Sequence, residues 1–216
     1  MFRRLFCVVL LGVGLLAGCS DDERAPLDPE GSAGLPASAD ELMADFGAAY
    51  QSRDESDLTR LLHPATQVFL LDSTVEAFLQ GGNPLGFDRM EHDAVVSSHR
   101  HLFSETAGTG PAGQVVPPVV SIEVDYLVQD GGWEPYVDVG GDFPGLQVRS
   151  GRFHLQLHFN CPDNLRMVVQ CDALFLAVED EENSGWQLIG WRDLEPQEKA
   201  QAVEPVSLSS ILAIYH

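Results

Sequence analysis

The chain has 216 residues, of which 44% are hydrophobic, and its 12 Lys and Arg against 33 Asp and Glu give a net charge of -21. That apolar fraction is enough to bury a core, so wholesale disorder is excluded, and the length suits one domain with appendages. Nucleic-acid binding is excluded as well, because such affinity is built from Lys and Arg neutralising phosphates, and here acids outnumber them.

The N-terminus reads as an address. Arg3 and Arg4 form a positive region, Leu5 to Leu16 an apolar stretch broken only by Gly12 and Gly14, and Leu16-Ala17-Gly18-Cys19 looks like a lipobox. The apolar stretch is short for a span, which needs about 20 residues. Residues 1–18 are therefore expected to be a lipoprotein signal peptide, Cys19 the lipidated residue, and 19–37 a flexible tether with Pro26, Pro29 and Pro36 and no apolar period. The membrane partner is then reached through an N-terminal lipid anchor. Ser20, where inner-membrane retention uses aspartate, favours the outer membrane, at its periplasmic face or the cell surface.

The folded part is expected over 38–216. Ser38-Ala39-Asp40-Glu41 matches a capping box, and Leu42, Met43, Phe46, Ala49 and Tyr50 continue at helical spacing to about residue 52. Leu58, Leu61 and Leu62 predict a short second helix stopped by His63-Pro64. Val68 to Leu71 is an apolar run, strand or buried turn, and Gly81 to Pro84 a loop. Asp88-Arg89-Met90-Glu91 predicts a third helix from Asp88 to about Phe103.

After the Gly- and Pro-rich stretch Thr106 to Pro118 the period changes to two. Ile122, Val124, Tyr126 and Val128 alternate with polar residues, as do Phe153, Leu155, Leu157 and Phe159. Met167 to Val178 and Trp186 to Trp191 supply further strands. Helices first and an antiparallel sheet afterwards is an α+β pattern. Of the four cysteines, Cys7 is expected to be removed and Cys19 lipidated. Cys161 and Cys171 flank the turn Pro162-Asp163-Asn164, and a disulfide closing that hairpin is expected, with Phe159 facing Ala173 and Leu157 facing Phe175; free buried thiols are the alternative.

Phe46 to Asp54 leading into Leu58 to Pro64, with the closing strand Gly185 to Asp193, resembles the NTF2-like, or SnoaL-like, fold. Phe87 to Glu91, Arg100 to Phe103 and the tail Ser207 to Tyr215 narrow the likeness to uncharacterised bacterial lipoproteins of that fold. The resemblance implies a cone, N-terminal helices packed on a strongly curved antiparallel sheet around a pocket. Residues 129–149 depart from it as an inserted loop or extra hairpin.

Enzymes of that family place an Asp base or an acidic Tyr/Asp donor in the pocket. Here Glu123, Asp125 and Asp172 fall on faces opposite the apolar ones, so no catalytic set is assigned. His101 and Tyr126, each beside an apolar row, are the candidate pocket residues. His99 and His101 point about 200° apart on a helix, His92 and His99 lie about 10.5 Å apart, and His154 and His158 about 13 Å apart on a strand, so no pair chelates a metal. No metal and no cofactor are expected. The expected function is a non-enzymatic module in the cell envelope that binds a small apolar ligand or a protein partner. The alternatives are a pocket enzyme of the isomerase, dehydratase or cyclase kind using Tyr126 and His101, and an assembly subunit or homodimer pairing through the face of His154, Gln156 and His158.

Overall fold

The computed structural model describes residues 34–180, 183–194 and 207–216. The expected signal peptide, Cys19 and the tether up to residue 33 lie outside the described residues, as does the segment 195–206. No helix among the described residues is long and apolar enough to cross a membrane.

Helix α1 (Ala39–Ser52) begins as the sequence predicts: the Ser38 hydroxyl oxygen accepts the Glu41 N–H at 3.1 Å. The Glu41 carboxylate reaches one residue further back than in a standard capping box, to the Ala37 N–H at 2.9 Å. The expected tether ends earlier than residue 37. Pro36 accepts the Trp186 N–H at 2.9 Å, and Gly34 accepts Arg60 Nη1 at 2.8 Å, so 34–37 is docked on the last strand and the second helix. That crossing requires Gly185, where a Cβ would stand 2.2 Å from Leu35 Cβ.

Helix α2 (Glu55–Leu61) is capped by Asp54 and runs directly into strand β1 (Leu62–Phe69). Helix α3 (Asp72–Gln80), which the sequence left unassigned, follows with no side-chain cap. The expected helix from Asp88 is shorter at its start. Arg89–Glu91 is strand β2, antiparallel to β1 with Met90 opposite Val68, and helix α4 is His92–Phe103. Burying Met90, 1% exposed, outweighs the local capping signal. Two short strands, β3 (Gly108–Thr109) and β4 (Val115–Val116), make a separate hairpin.

The main sheet adds β5 (Ser121–Pro135), β6 (Val148–Asn160), β7 (Arg166–Asp180) and β8 (Gly185–Leu194), in the order β2-β1-β8-β7-β6-β5. The α+β class is as expected, but the sheet is mixed: β1 and β8 run parallel, and every other pair is antiparallel. The helices cover one face. Leu42, Phe46 and Tyr50 of α1 meet Phe153, Leu155, Phe175 and Trp191 of the strands in one buried cluster. The 129–149 departure resolves into the ends of β5 and β6 and a loop at 136–147. Phe143 of that loop, 2% exposed, folds onto the opposite sheet face against Leu176, Val178 and Ile189. The tail forms α5 (Leu208–Ile214), whose Leu208, Ile211 and Leu212 are fully buried against α4 and β8.

The hairpin between β6 and β7 corrects the disulfide. Asn160 pairs with Arg166 and Leu155 with Cys171, so Cys171 stands six register steps from Cys161, and both thiols are free. Six residues of strand span about 20 Å, against the roughly 7 Å between Cα atoms that a disulfide tolerates. The tight turn is the cause: Asp163 and Asn164 both adopt left-handed backbone, at φ 60° and 59°, and close the hairpin immediately after Asn160. Phe159 therefore faces Met167, and Leu157 faces Val169.

Candidate functional site

Tyr126 and His101 do not converge. β5 carries an extra residue at Asp125, because Val124 pairs with Leu157 while Tyr126 pairs with Gln156. Side chains alternate across a strand, so the bulge moves Tyr126 and Val128 to the face away from the helices and brings Leu127 to the helix side. Val128 is 55% exposed in consequence. His101 is on α4, where its Nδ1 lies 3.0 Å from the Tyr215 carbonyl oxygen at the end of α5. One residue faces outward from the sheet, and the other helps hold the tail.

The titratable groups that do meet on the inner face are Tyr50, His99 and Asp193. Tyr50 Oη and His99 Nε2 are 2.6 Å apart, and His99 Nδ1 is 2.7 Å from the Val95 carbonyl. A carbonyl oxygen only accepts, so Nδ1 carries the proton and Nε2 accepts from the Tyr50 hydroxyl. Burial disfavours the charged imidazolium and lowers His99 to a pKa of about 4, while burial and the nearby Asp193 push the Tyr50 phenol up. The rings of Phe103 and Trp191 stand edge-on to His99 at 5.7 and 6.2 Å. This is a neutral, saturated pair enclosed by aromatic side chains. The Trp191 indole N–H finds no acceptor among the described residues.

Asp193 is 1% exposed. Its carboxylate accepts the Ser209 N–H at 2.7 Å from the first turn of α5, and burial raises its pKa against the lowering effect of that bond. The expectation that no carboxylate reaches the apolar face is thus corrected. Alternation from Trp191 places Asp193 on the same face, a signal legible in Trp191-Arg192-Asp193. Tyr50 and His99 carried no such signal, since they are 49 positions apart and meet only through packing.

Outside the apolar patch that Phe143 covers, the outer face of β6 and its neighbours is polar, as alternation predicts. His154 Nδ1 lies 2.5 Å from Asp172, which also holds Arg152 at 2.6 Å, and His158 Nε2 lies 2.7 Å from Asp125. His154 and His158 each pair with a carboxylate rather than with one another. Among the described residues no group of three ligating side chains is placed to hold a metal ion.

One surface concavity, of about 690 Å³, lies over residues 52–59, and another, of about 500 Å³, lies between α1 and the edge strand β5. Met43 and Gly47 of α1 and Val124, Leu127 and Phe153 of the strands line it. Asp40, Gln51 and Gln129 add polar groups, and among the described residues Asp40 is its only charged lining residue. Asp40 accepts the Trp133 indole N–H at 2.9 Å. Gly47 sits inside the helix, where glycine costs about 0.5–1 kcal/mol relative to alanine. A Cβ there would meet only Leu127 Cδ2 at 3.8 Å, an ordinary contact, so packing does not require the glycine.

No protein-family model matches the chain, and no curated protein matches it. Solved structures similar to it include an NTF2-like superfamily protein from Salmonella enterica serovar Typhimurium, 9% identical over 74% of this chain and 89% of that one, with a TM-score of 0.46. An NTF2-like protein of unknown function from Pseudomonas putida is 10% identical over 74% and 85%, with a TM-score of 0.42. A protein named as a dehydratase of the NTF2-like family, from Streptomyces avermitilis, is 11% identical over 71% and 90%, with a TM-score of 0.44. Such likenesses leave the chemistry to be argued from this chain's own residues.

Proposed function

We propose that the chain is a non-enzymatic binding module, anchored by lipid on Cys19 in a bacterial envelope, that engages an apolar ligand or a protein partner at its surface. The observation that carries the binding half is the filled inner face. Phe46, Phe153, Phe175 and Trp191 occupy the space between helices and sheet, and α5 packs over it. A pocket enzyme needs an acid and a base facing a shared space. Tyr126 and His101 face different parts of the molecule, and the Tyr50–His99 pair spends its donor and acceptor on each other. Of the surface concavities, the one over residues 52–59 is lined by Ser52, Arg53, Asp54, Glu55, Ser56 and Thr59, with no apolar residue, and the one between α1 and β5 is the one an apolar ligand fits. The address half rests on Leu16-Ala17-Gly18-Cys19.

Two measurements test this. Expressed with its leader in a bacterial host, the chain should incorporate labelled palmitate and sediment with membranes, and Cys19→Ser should abolish both; a chain that stays in the soluble fraction and unlabelled overturns the address. Native mass spectrometry of the protein taken from its own envelope should show retained apolar mass or a stoichiometric protein partner. A bare chain that turns over an enolisable or hydratable substrate, and loses that turnover in Tyr50→Phe, overturns the binding module in favour of an enzyme.

A further inference from the structure

The concavity between α1 and β5 has a specific chemistry. Its floor is apolar, from Val124, Leu127 and Phe153, and it widens over Gly47, where a side chain would fit and none is present. Ala44 and Ala48 leave its outer side open to solvent. Among the described residues the one charge lining it is the Asp40 carboxylate, and no cation lines it. Asp40 is exposed and already oriented by the Trp133 N–H, which occupies one of its two oxygens. A volume of about 500 Å³ falls within the 300–1,000 Å³ typical of small-molecule sites, which are mostly apolar with a few placed polar groups. An anion would meet Asp40 and a chain that carries a net charge of -21, both unfavourable.

We propose that this groove binds a small amphiphile with a cationic head, its apolar part lying over Leu127 and Gly47 and its head beside Asp40. Gly47 keeps the groove open, and that is why a helix-interior glycine with free space around it stands there. The proposal rests on the chain being a binding module and names the class of ligand for it.

The test is methyl NMR of the intact chain titrated in turn with octyltrimethylammonium, octanoate and octanol. The cation should move the Met43 and Leu127 methyl signals and bind about fivefold more tightly than octanol, the factor that one solvent-exposed charge pair of about 1 kcal/mol supplies. Asp40→Asn should remove that preference while the alkyl contact persists, and Glu76→Gln on α3, an equal change of charge outside the groove, should leave it. Gly47→Leu should abolish the shifts of Met43 and Leu127. Gly47→Ala, whose Cβ makes an ordinary contact, keeps the fold and should weaken them partially. Octanoate binding as tightly as the cation, or full binding in Gly47→Leu, overturns the proposal. Shifts confined to methyls elsewhere, such as Ile211 and Leu212, overturn the groove and leave the binding module standing; no shift at any methyl with any of the three removes the groove and undercuts the module's apolar ligand as well.

Discussion

Acid should destabilise this protein through His99, and the size of the effect follows from its burial. The unfolded chain takes up a proton on His99 near the ordinary value of 6.5, whereas the folded chain, with Nδ1 tied to Val95 and Nε2 to Tyr50, takes it up only near pH 4. Below pH 6.5 the unfolded state therefore binds more protons, and stability falls as the pH drops until about pH 4, where the loss levels off. At about 1.4 kcal/mol per pH unit, the histidine alone should remove about 2.5 kcal/mol between pH 7 and pH 4.5. Asp193 works in the opposite sense. Its folded pKa is raised, so its contribution is greatest in acid and is lost as the pH rises above the ordinary carboxylate value. Urea titrations followed by Trp fluorescence at pH 7, 5.5 and 4.5 will record the sum. The same series on Tyr50→Phe/His99→Leu removes the histidine while leaving no orphaned phenol. With a urea slope of about 2 kcal/mol per molar, the midpoint of the native sequence should fall between pH 7 and 4.5 by about 1 M more than that of the double variant. Parallel pH dependences in the two proteins would refute a neutral, fully buried His99.

Three further outcomes follow from the packing. Cys161 and Cys171 should both alkylate after denaturation without reductant, and the intact mass should show no loss of two hydrogens between them. Gly185→Ala should cost about 1–3 kcal/mol in chemical unfolding, because its Cβ meets the Leu35 Cβ in a fixed backbone crossing; an unchanged midpoint would mean that 34–37 is not docked there. Phe143→Ala should cost about 3 kcal/mol and make the 136–147 loop more open to limited proteolysis, since Phe143 is the loop's buried apolar anchor on the outer sheet face, beside the Asp142–Arg89 ion pair.

Local chemistry made much of this molecule legible in advance. Ser38 and Glu41 set the start of α1, the period-two run at 153–159 sets β6 with its inner and outer faces, and the apolar run at 167–178 sets β7 beside it. What escaped was whatever depends on a partner far along the chain. Met90 turns Arg89–Glu91 into a strand because Val68 of β1 is there to pair with it, although the local residues favour a helix start. The cysteine pairing failed on register: ten positions around a turn allow several registers, and left-handed Asp163 and Asn164 select the tightest. α3 has no side-chain cap to mark its start, although Thr74, Val75 and Phe78 at helical spacing form its inner side.

The single residue with the largest consequence for the candidate site is Asp125. Without the bulge, the alternation of Ile122, Val124, Tyr126 and Val128 would continue, and a tyrosine hydroxyl would point toward the helices. The added residue inverts the rest of the strand, so that Leu127 and Gln129 take the inner positions opposite Leu155 and Phe153. The same inversion sends the phenol outward beside Gln156 and lays Leu127 against Gly47 of α1. A polar interior and an apolar groove at the edge of the sheet are therefore alternatives decided by one position. Deleting Asp125 should remove the bulge and keep Tyr126 opposite Gln156 and Leu127 opposite Leu155 in unbroken alternation, so that the groove keeps its floor; loss of the methyl NOE contacts of Leu127 with α1 in that variant would refute the assignment.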